Sequence, residues 1–124
     1  MSVQTSERLS GKLEPTKNGS TYIDPKGLEW EKSQFEKIWK KVLYQNEAAG
    51  EMTVLLKFEP GAVLPFHKHP EIEQSWVLEG RLVDHEGEVK AGNYVWRPAG
   101  SRHSASAPEG ALVLGFFLKP NRFF

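Results

Sequence analysis

The chain is 124 residues long and carries 16 Lys and Arg against 16 Asp and Glu. This length suffices for one hydrophobic core but not for two, so a single domain is predicted. Balanced charge provides no overall field to attract nucleic acid or anionic lipid, and the absence of cysteine excludes disulfides and thiolate metal sites, so small ligands are the expected partners.

The N-terminal segment, residues 1–21, is polar and shows no apolar periodicity. It is predicted to be an arm ahead of a domain that spans residues 22–124. The first residues lack the apolar core of a signal peptide, and no apolar run reaches the roughly 20 residues that a membrane span requires. A cytoplasmic protein without a membrane partner is therefore expected.

The next segment, residues 22–44, has two interpretations. Its apolar residues recur at helical spacing, which on periodicity alone favours an amphipathic helix. Residues 38–45, however, are rich in β-branched and aromatic side chains, and residues 48–51 have the composition of a turn. We predict a hairpin of residues 38–46 with 52–59, because the all-β remainder of the chain needs a partner for its next strand.

From Glu59 onwards, glycine and proline punctuate short apolar runs at regular intervals. Turn signals at this spacing predict an all-β sandwich or barrel. A turn is expected at residues 84–87, with Gly87 at a positive φ, and the last long strand is expected to be buried on both faces. The predicted strands are 62–68, 73–79, 81–86, 93–97, 102–107 and 111–118.

Three histidines in this region indicate a metal site. His67 and His69 are two residues apart, so on a strand both imidazoles lie on the same face. Glu73 has the same parity, and a returning strand could bring His103 to the same point. Three imidazoles and one carboxylate form a ligand set that suits Fe, Mn, Zn, Ni or Cu.

Other polar residues near these positions have weaker assignments. Glu71 shares the parity of Glu73 and would be the carboxylate if the strand bulges. His85 lies in the predicted turn and is expected to be exposed. Arg97 and Arg102 either pair with surface acids or meet a substrate carboxylate or phenolate.

The residues from Gly61 to Ala107 resemble the two motifs of the cupin superfamily. The first motif matches at every position, namely Gly61, His67, His69, Glu73 and Gly80. The second motif matches at Gly92, Pro98, Gly100 and His103. It departs at Ala107, where the family usually has Asn. The eleven residues between the motifs resemble the short spacer of compact bacterial single-domain cupins.

Three stretches narrow the resemblance further: residues 78–81, 91–94 and 98–103. They are similar to the cupins that resemble the metal domain of the anti-sigma factor ChrR, a group that includes dioxygenases cleaving β-diketones and dihydroxyacetophenone. This resemblance implies an all-β fold, the double-stranded β-helix or jelly-roll barrel of the cupins. It also implies that His67, His69 and His103 are metal ligands and that Glu73 is either a fourth ligand or the catalytic base.

The function implied by the resemblance is an Fe(II)-dependent dioxygenase that uses O2 to cleave a C–C bond in a diketone or hydroxyaryl ketone. Zn, Mn, Ni and Cu are also compatible with the ligands. Two alternatives stay open: a non-oxidative isomerase or lyase acting on a small carbonyl or sugar substrate, and a metal- or redox-sensing cupin without enzymatic activity.

Aromatic residues near the motifs are candidates for the wall of a substrate pocket, although strand parity allows only some of them to face inward. They are Trp76, Tyr94, Trp96, Phe116 and Phe117. The C-terminal residues 122–124 are apolar enough to pack on the barrel or on a second subunit. Because open sheet edges are usually covered, a homodimer is predicted.

Overall fold

A computed structural model describes residues 11, 12 and 16–124 of the chain. The contacts divide the chain into two units, of which the first ends at Trp30 and the second is Glu31–Phe124. Most of the predicted arm, residues 1–10 and 13–15, lies outside the described residues, and its boundary with the domain stays a prediction.

Within its described residues, the first unit contains two short strands and one turn of 3-10 helix. Strand β1 (Gly11–Lys12) pairs antiparallel with β2 (Ile23–Asp24). The 3-10 turn, Pro25–Gly27, begins after Asp24, whose carboxylate accepts a hydrogen bond from the backbone N–H of Lys26 at 3.0 Å. This is a side-chain cap on the turn.

The second unit is an antiparallel sheet of ten strands that curls around its longest strand, β7, which pairs with strands from both halves of the sheet. The order is β12-β6-β10-β7-β11-β5-β4-β3, and β8 and β9 also pair with β7. The strands are β3 (Glu31–Lys32), β4 (Ile38–Asn46), β5 (Glu51–Phe58), β6 (Ala62–Lys68), β7 (Glu73–Val83), β8 (Glu88–Lys90), β9 (Tyr94–Arg97), β10 (Arg102–Ala107), β11 (Ala111–Phe117) and β12 (Arg122–Phe123). The predicted all-β class is confirmed.

Residues 38–46 form strand β4, so the strand interpretation of this segment is confirmed. The strand pairs with β5 in antiparallel register, from Ile38 opposite Phe58 to Asn46 opposite Glu51. Ile38 and Phe58 are both buried in the core. Cross-strand packing of β-branched and aromatic side chains therefore outweighs the helical spacing of the same residues.

The core of the sheet is made of small and branched side chains that alternate along the strands. Ala107, at the position where cupins usually have Asn, is fully buried within it. The buried cluster comprises Ile38, Phe58, Ala62, Val77, Leu82, Val89, Ala107, Ala111 and Val113. Because these residues come from every strand between β4 and β11 except β9, their burial holds the curled sheet together.

Two details of the predicted strands are wrong. The predicted strands 73–79 and 81–86 are one continuous strand, β7, which passes through Gly80 at φ 70° instead of turning there and ends at Val83. Strand β11 is not buried on both faces, because Phe116 on its outer face is 40% exposed. The turn after β7 forms as predicted, and the Asp84 carboxylate closes it by accepting the N–H groups of Glu86 and Gly87. The prediction of a positive φ at Gly87 is wrong, because Gly87 lies outside that region.

The described part of the chain contains no helix with the length and hydropathy needed to cross a membrane.

Candidate metal centre

The three motif histidines meet because strands β6 and β10 are neighbours. In their antiparallel register His67 lies directly opposite His103. His69 follows the end of β6, where its backbone N–H donates to the carbonyl oxygen of Ser101 at 2.9 Å. The three side chains are almost completely removed from solvent, with exposures of 0% for His67, 1% for His69 and 4% for His103. The structure thus brings together the three histidines that the sequence predicts.

Each imidazole is held through its Nδ1 atom. Nδ1 of His67 lies 2.7 Å from the carbonyl oxygen of Pro65, which can only accept, so this nitrogen carries the proton. Nδ1 of His69 lies 2.8 Å from the hydroxyl of Ser101, whose own proton goes to the carbonyl oxygen of Pro98. Nδ1 of His103 lies 2.8 Å from a carboxylate oxygen of Asp84.

These hydrogen bonds leave the Nε2 lone pair of every ring free to bind a ligand. Burial lowers the pKa of His67, and burial lowers the pKa of His103 to about 4, so both rings are neutral at pH 7. One ligand atom from each of the three histidines lies within 4.8 Å of the others. The cluster therefore presents three acceptors to one point.

The distance between the free nitrogens of His67 and His69 fits a shared divalent ion. Nε2 of His67 and Nε2 of His69 are 3.1 Å apart. Two nitrogens bound to one ion at about 2.1 Å each, with bonds meeting near a right angle, would lie about 3 Å apart. Two lone pairs at this distance repel each other unless a cation lies between them. A proton would satisfy one such pair, whereas a metal ion satisfies all three nitrogens at once.

Glu73, at the start of β7, is buried beside the cluster. Its Oε2 atom lies 3.1 Å from Nε2 of His69, and the residue is 9% exposed. Burial acts to raise the pKa of Glu73, but the contact with the His69 ring and the positive charge of Arg97 lower it below its usual value, so the carboxylate is ionised at pH 7. Glu71, the alternative carboxylate, is exposed, and so is His85.

Asp84 and Arg97 form a partly buried ion pair behind His103. The same Oδ2 atom of Asp84 accepts from His103 Nδ1 at 2.8 Å and from Arg97 Nη1 at 2.9 Å. Burial acts to raise the pKa of Asp84, but these partners and the turn N–H groups lower it to about 2. A permanent carboxylate thus fixes the orientation of the His103 ring and increases the basicity of its free nitrogen.

Sequence reasoning missed Asp84 and Ser101 as partners of the metal-site histidines. The sequence identifies Asp84 only as a turn residue. Its contact with His103, 19 positions away, depends on strand pairing. Ser101 lies two residues before His103 and is an ordinary loop residue by composition. The signal that could have found Asp84 is the general tendency of metal-binding histidines to donate to a carboxylate.

A cavity of about 360 Å³ lies next to the cluster and is lined by Glu73, Arg97 and His103 among mainly apolar side chains. Of the five aromatic residues predicted to form its wall, Phe117 alone is part of the lining. The other four, Trp76, Tyr94, Trp96 and Phe116, are 40–58% exposed on the opposite face of the sheet. Phe123 of β12 lines the cavity instead and packs 5.2 Å from the ring of His67, so the C-terminal residues pack on the barrel.

Asp84→Asn is expected to weaken metal binding by about 10- to 100-fold, as is usual for outer partners of ligating histidines. The amide oxygen can still accept the N–H groups of the turn, but the amide nitrogen then faces two donors, His103 Nδ1–H and Arg97. A competition titration of Zn²⁺ against a chelator measures the affinity. Glu86→Gln, in the same turn but exposed, is the matched control. Equal Zn²⁺ affinity in the two variants would contradict the role of Asp84.

Comparison with known families places residues 18–121 within the model of the ChrR cupin-like domain. A comparison with curated proteins found none that matches.

Solved structures with the same fold include two related to acetylacetone dioxygenase. A candidate acetylacetone dioxygenase from Methylibium petroleiphilum PM1 is 20% identical, with a TM-score of 0.77 over 83% of this chain and 79% of that one. An acetylacetone dioxygenase from Acinetobacter johnsonii is 18% identical, with a TM-score of 0.66 over 70% of this chain and 63% of that one. At these identities the likeness establishes the fold.

A chain in the crystal structure of Rhodobacter sphaeroides SigE in complex with the anti-sigma ChrR also matches. It is 20% identical, with a TM-score of 0.63 over 73% of this chain, and the match covers 48% of that chain. The protein thus spans about half the length of this structural relative.

Proposed function

This chain belongs to the family of ChrR cupin-like domains, and we propose that it is an Fe(II)-dependent dioxygenase that cleaves a C–C bond of a diketone or hydroxyaryl ketone. His67, His69 and His103 would hold the ion. The observation that carries the proposal is the convergence of three imidazole lone pairs beside a mostly apolar cavity. The acetylacetone dioxygenases that share the fold support this reaction class.

The proposed reaction with O2, more than the ligand set, favours iron. Three imidazoles leave three positions of an octahedral ion open, enough for a chelating substrate and O2, whereas a carboxylate as fourth ligand would leave two, enough for the chelating substrate alone. When bound, Fe(II) would supply Lewis acidity toward the ketone oxygens and the redox chemistry with O2. Zn, Mn, Ni and Cu also fit the donor atoms, so the identity of the metal is part of the proposal.

Glu73 would act as the general base if it is not a fourth ligand. It is ionised and buried next to the histidine cluster, and it lines the cavity in which a ketone would bind. In that position it would take a proton from the carbon between the two carbonyls and later return it to the product. The apolar lining would orient the substrate and exclude bulk water.

The overall reaction balances without a further reductant. A diketone R–CO–CH2–CO–R′ and one O2 would give the acid R–COOH and the 2-oxoaldehyde R′–CO–CHO. One C–C bond is broken, both oxygen atoms enter the products, and the substrate supplies the electrons that reduce O2. The same count applies to a hydroxyaryl ketone, which would be split at the bond beside its carbonyl.

Oxygen uptake tests the proposal. Protein loaded anaerobically with Fe(II) and then given air and 1-phenylbutane-1,3-dione is expected to consume one O2 per ketone, whereas the Zn(II)-loaded protein is expected to consume none. Ketone loss with Zn(II) and without O2 would contradict an oxygenase and favour the isomerase or lyase alternative.

Glu73→Gln separates the two roles of the carboxylate in the same assay. As a base, Glu73 is expected to contribute about 10²- to 10⁴-fold to kcat. The variant would then keep its iron and lose this factor. Loss of iron from the variant would instead identify Glu73 as a ligand.

A protein-binding metal or redox sensor is the second candidate function. The likeness to a chain of the SigE–ChrR complex favours it. Stoichiometric iron binding without oxygen uptake for any diketone or hydroxyaryl ketone would support the sensor over the enzyme.

A further inference from the structure

We propose that Arg97 forms an anion subsite in the cavity beside the histidine cluster, and that the ligand is an apolar molecule carrying a carboxylate or an enolate. The inference rests on the proposed function only in taking this cavity as the substrate site. It adds the charge of the substrate and the residue that recognises it.

Arg97 is placed at the metal end of the cavity by strand pairing. As the last residue of β9 it lies directly opposite Glu73 of β7. Its side chain is 15% exposed and contributes to the cavity lining together with Glu73 and His103. A guanidinium in this position borders the space where a ligand of the metal ion would lie.

Most hydrogen-bond donors of Arg97 are unused. A guanidinium carries five N–H groups in a planar fork. Nη1 donates to Asp84 at 2.9 Å, and within the described residues this is the hydrogen bond that the side chain makes. Each side-chain nitrogen of Arg97 either has a hydrogen-bond partner or is not fully buried. The remaining N–H groups are therefore open to a ligand, and their geometry matches two oxygens of a carboxylate or of a chelating enolate.

The charges around the cavity favour an anion over a neutral ligand. Its lining contains two cationic residues, Lys40 and Arg97, and one anionic residue, Glu73. Asp84, the ion-pair partner of Arg97, lies outside this lining and balances the remaining positive charge before any metal ion is added. A divalent ion would then make the site positive. In a space with few polar groups such a charge is poorly screened, so an anionic ligand is stabilised.

The outer side of Arg97 does not offer the same attraction. There it borders a cleft of about 410 Å³ that also contains Arg102 and three acidic residues, Asp84, Glu86 and Glu88. Three carboxylates against two guanidinium groups leave this cleft with a net negative charge, which disfavours an anion. Charge thus selects the cavity as the side from which an anion reaches Arg97.

The rest of the lining defines the body of the ligand. Apart from its few polar groups the cavity is lined by aliphatic and aromatic side chains, including Val54, Leu56, Phe58, Val95, Val113 and Phe117. A volume of about 360 Å³ is in the range of small-molecule sites. A phenyl group or a short branched chain attached to the anionic group fits this description.

Binding of matched neutral and anionic probes to the metal-free protein tests the proposal. The first pair is benzoate and benzamide, which differ in charge but hardly in shape. The second pair is 4,4,4-trifluoro-1-phenylbutane-1,3-dione, whose enolate forms near neutral pH, and its less acidic parent without fluorine. We expect calorimetry to show at least about tenfold tighter binding of the anionic member in one or both pairs. If only the benzoate pair shows this difference, the recognised anion is a carboxylate. If only the diketone pair shows it, the recognised anion is an enolate.

Variants test whether Arg97 is responsible for the tighter binding of the anionic probes. Arg97→Gln is expected to reduce the preference to less than about twofold, and Arg97→Lys, which keeps the charge but not the fork, to retain part of it. Arg102→Gln is the matched control, because Arg102 is exposed and is not part of the cavity lining. Equal binding of both probe pairs by the unmodified protein, or an undiminished preference in Arg97→Gln, would overturn the proposal.

If Arg97→Gln does not fold, Arg97→Lys is used instead. An unchanged preference for the anionic probes in that variant would contradict recognition by the planar guanidinium fork of Arg97. Since no metal is present, this result is independent of the oxygen-uptake experiment. A protein that binds the anions through Arg97 but consumes no O2 would refute the dioxygenase and leave the anion subsite standing.

Discussion

A His67→Ala variant is expected to lose bound metal, from about one ion per chain to almost none. His67 is fully buried and lies opposite His103 in the strand register, and its Nε2 atom is 3.1 Å from that of His69. Removing it takes away one of three ligands, and we expect affinity to fall by more than the roughly 100-fold that outer partners contribute. Metal content after purification, measured by mass spectrometry, gives the result.

The matched control is His85→Ala, which removes an exposed histidine from the turn after β7. Its metal content is expected to equal that of the unmodified protein. Because His67 packs against Phe123, a second variant, His67→Gln, keeps most of the volume and separates ligand loss from cavity formation. Full metal occupancy in folded His67→Ala and His67→Gln would contradict the assignment of this ligand.

Gly80→Ala is expected to destabilise the fold by about 3 kcal/mol or more, a large part of the stability of a small domain. Gly80 has φ 70°, and a Cβ atom there would overlap the carbonyl oxygen of Gly110 and lie 2.9 Å from Cα of Ala111. These are backbone atoms, so the clash cannot be relieved by rotating a side chain. The midpoint and slope of denaturant unfolding measure the loss.

Gly92→Ala provides the control for backbone conformation alone. Gly92 has a similar φ of 83°, but a Cβ atom there would meet nothing within 4 Å. Its loss is expected to be the cost of the left-handed conformation, about 1–2 kcal/mol. Equal losses for the two alanine variants would show that the close approach of Gly80 and Gly110 does not contribute to stability.

The sequence predicts the elements of the sheet well because their signals are local. Turn residues and β-branched runs identify β4, β6, β10 and most of β7 within a few residues. The break at Gly80 is wrong for a physical reason, since a glycine with positive φ serves equally in a turn and in a strand that comes close to another backbone. The close approach to Gly110 is a long-range contact that no local pattern contains.

The sequence predicts the metal ligands of the candidate site but not the residues that hydrogen-bond to those ligands. Spacing and parity place His67 and His69 on one face, and the second motif brings His103 to them. The bonds from Asp84 and Ser101 to the ligand rings depend on how strands and loops meet, which residue type alone does not reveal. The prediction that the aromatic residues line the pocket failed because parity along β9 and β11 does not say which face is the inner one. On β7 the parity of Glu73 already assigns Trp76 to the outer face.

The most direct test of the metal centre is anomalous scattering from crystals of the protein grown with Fe(II) under anaerobic conditions. The expected result is one anomalous peak at about 2.0–2.2 Å from Nε2 of His67, His69 and His103, with the Glu73 carboxylate either bonded to the same ion or beside it. A protein that takes up iron but shows no peak among these three nitrogens, or shows its peak in the cleft of Asp84, Glu86 and Glu88, would contradict the assignment.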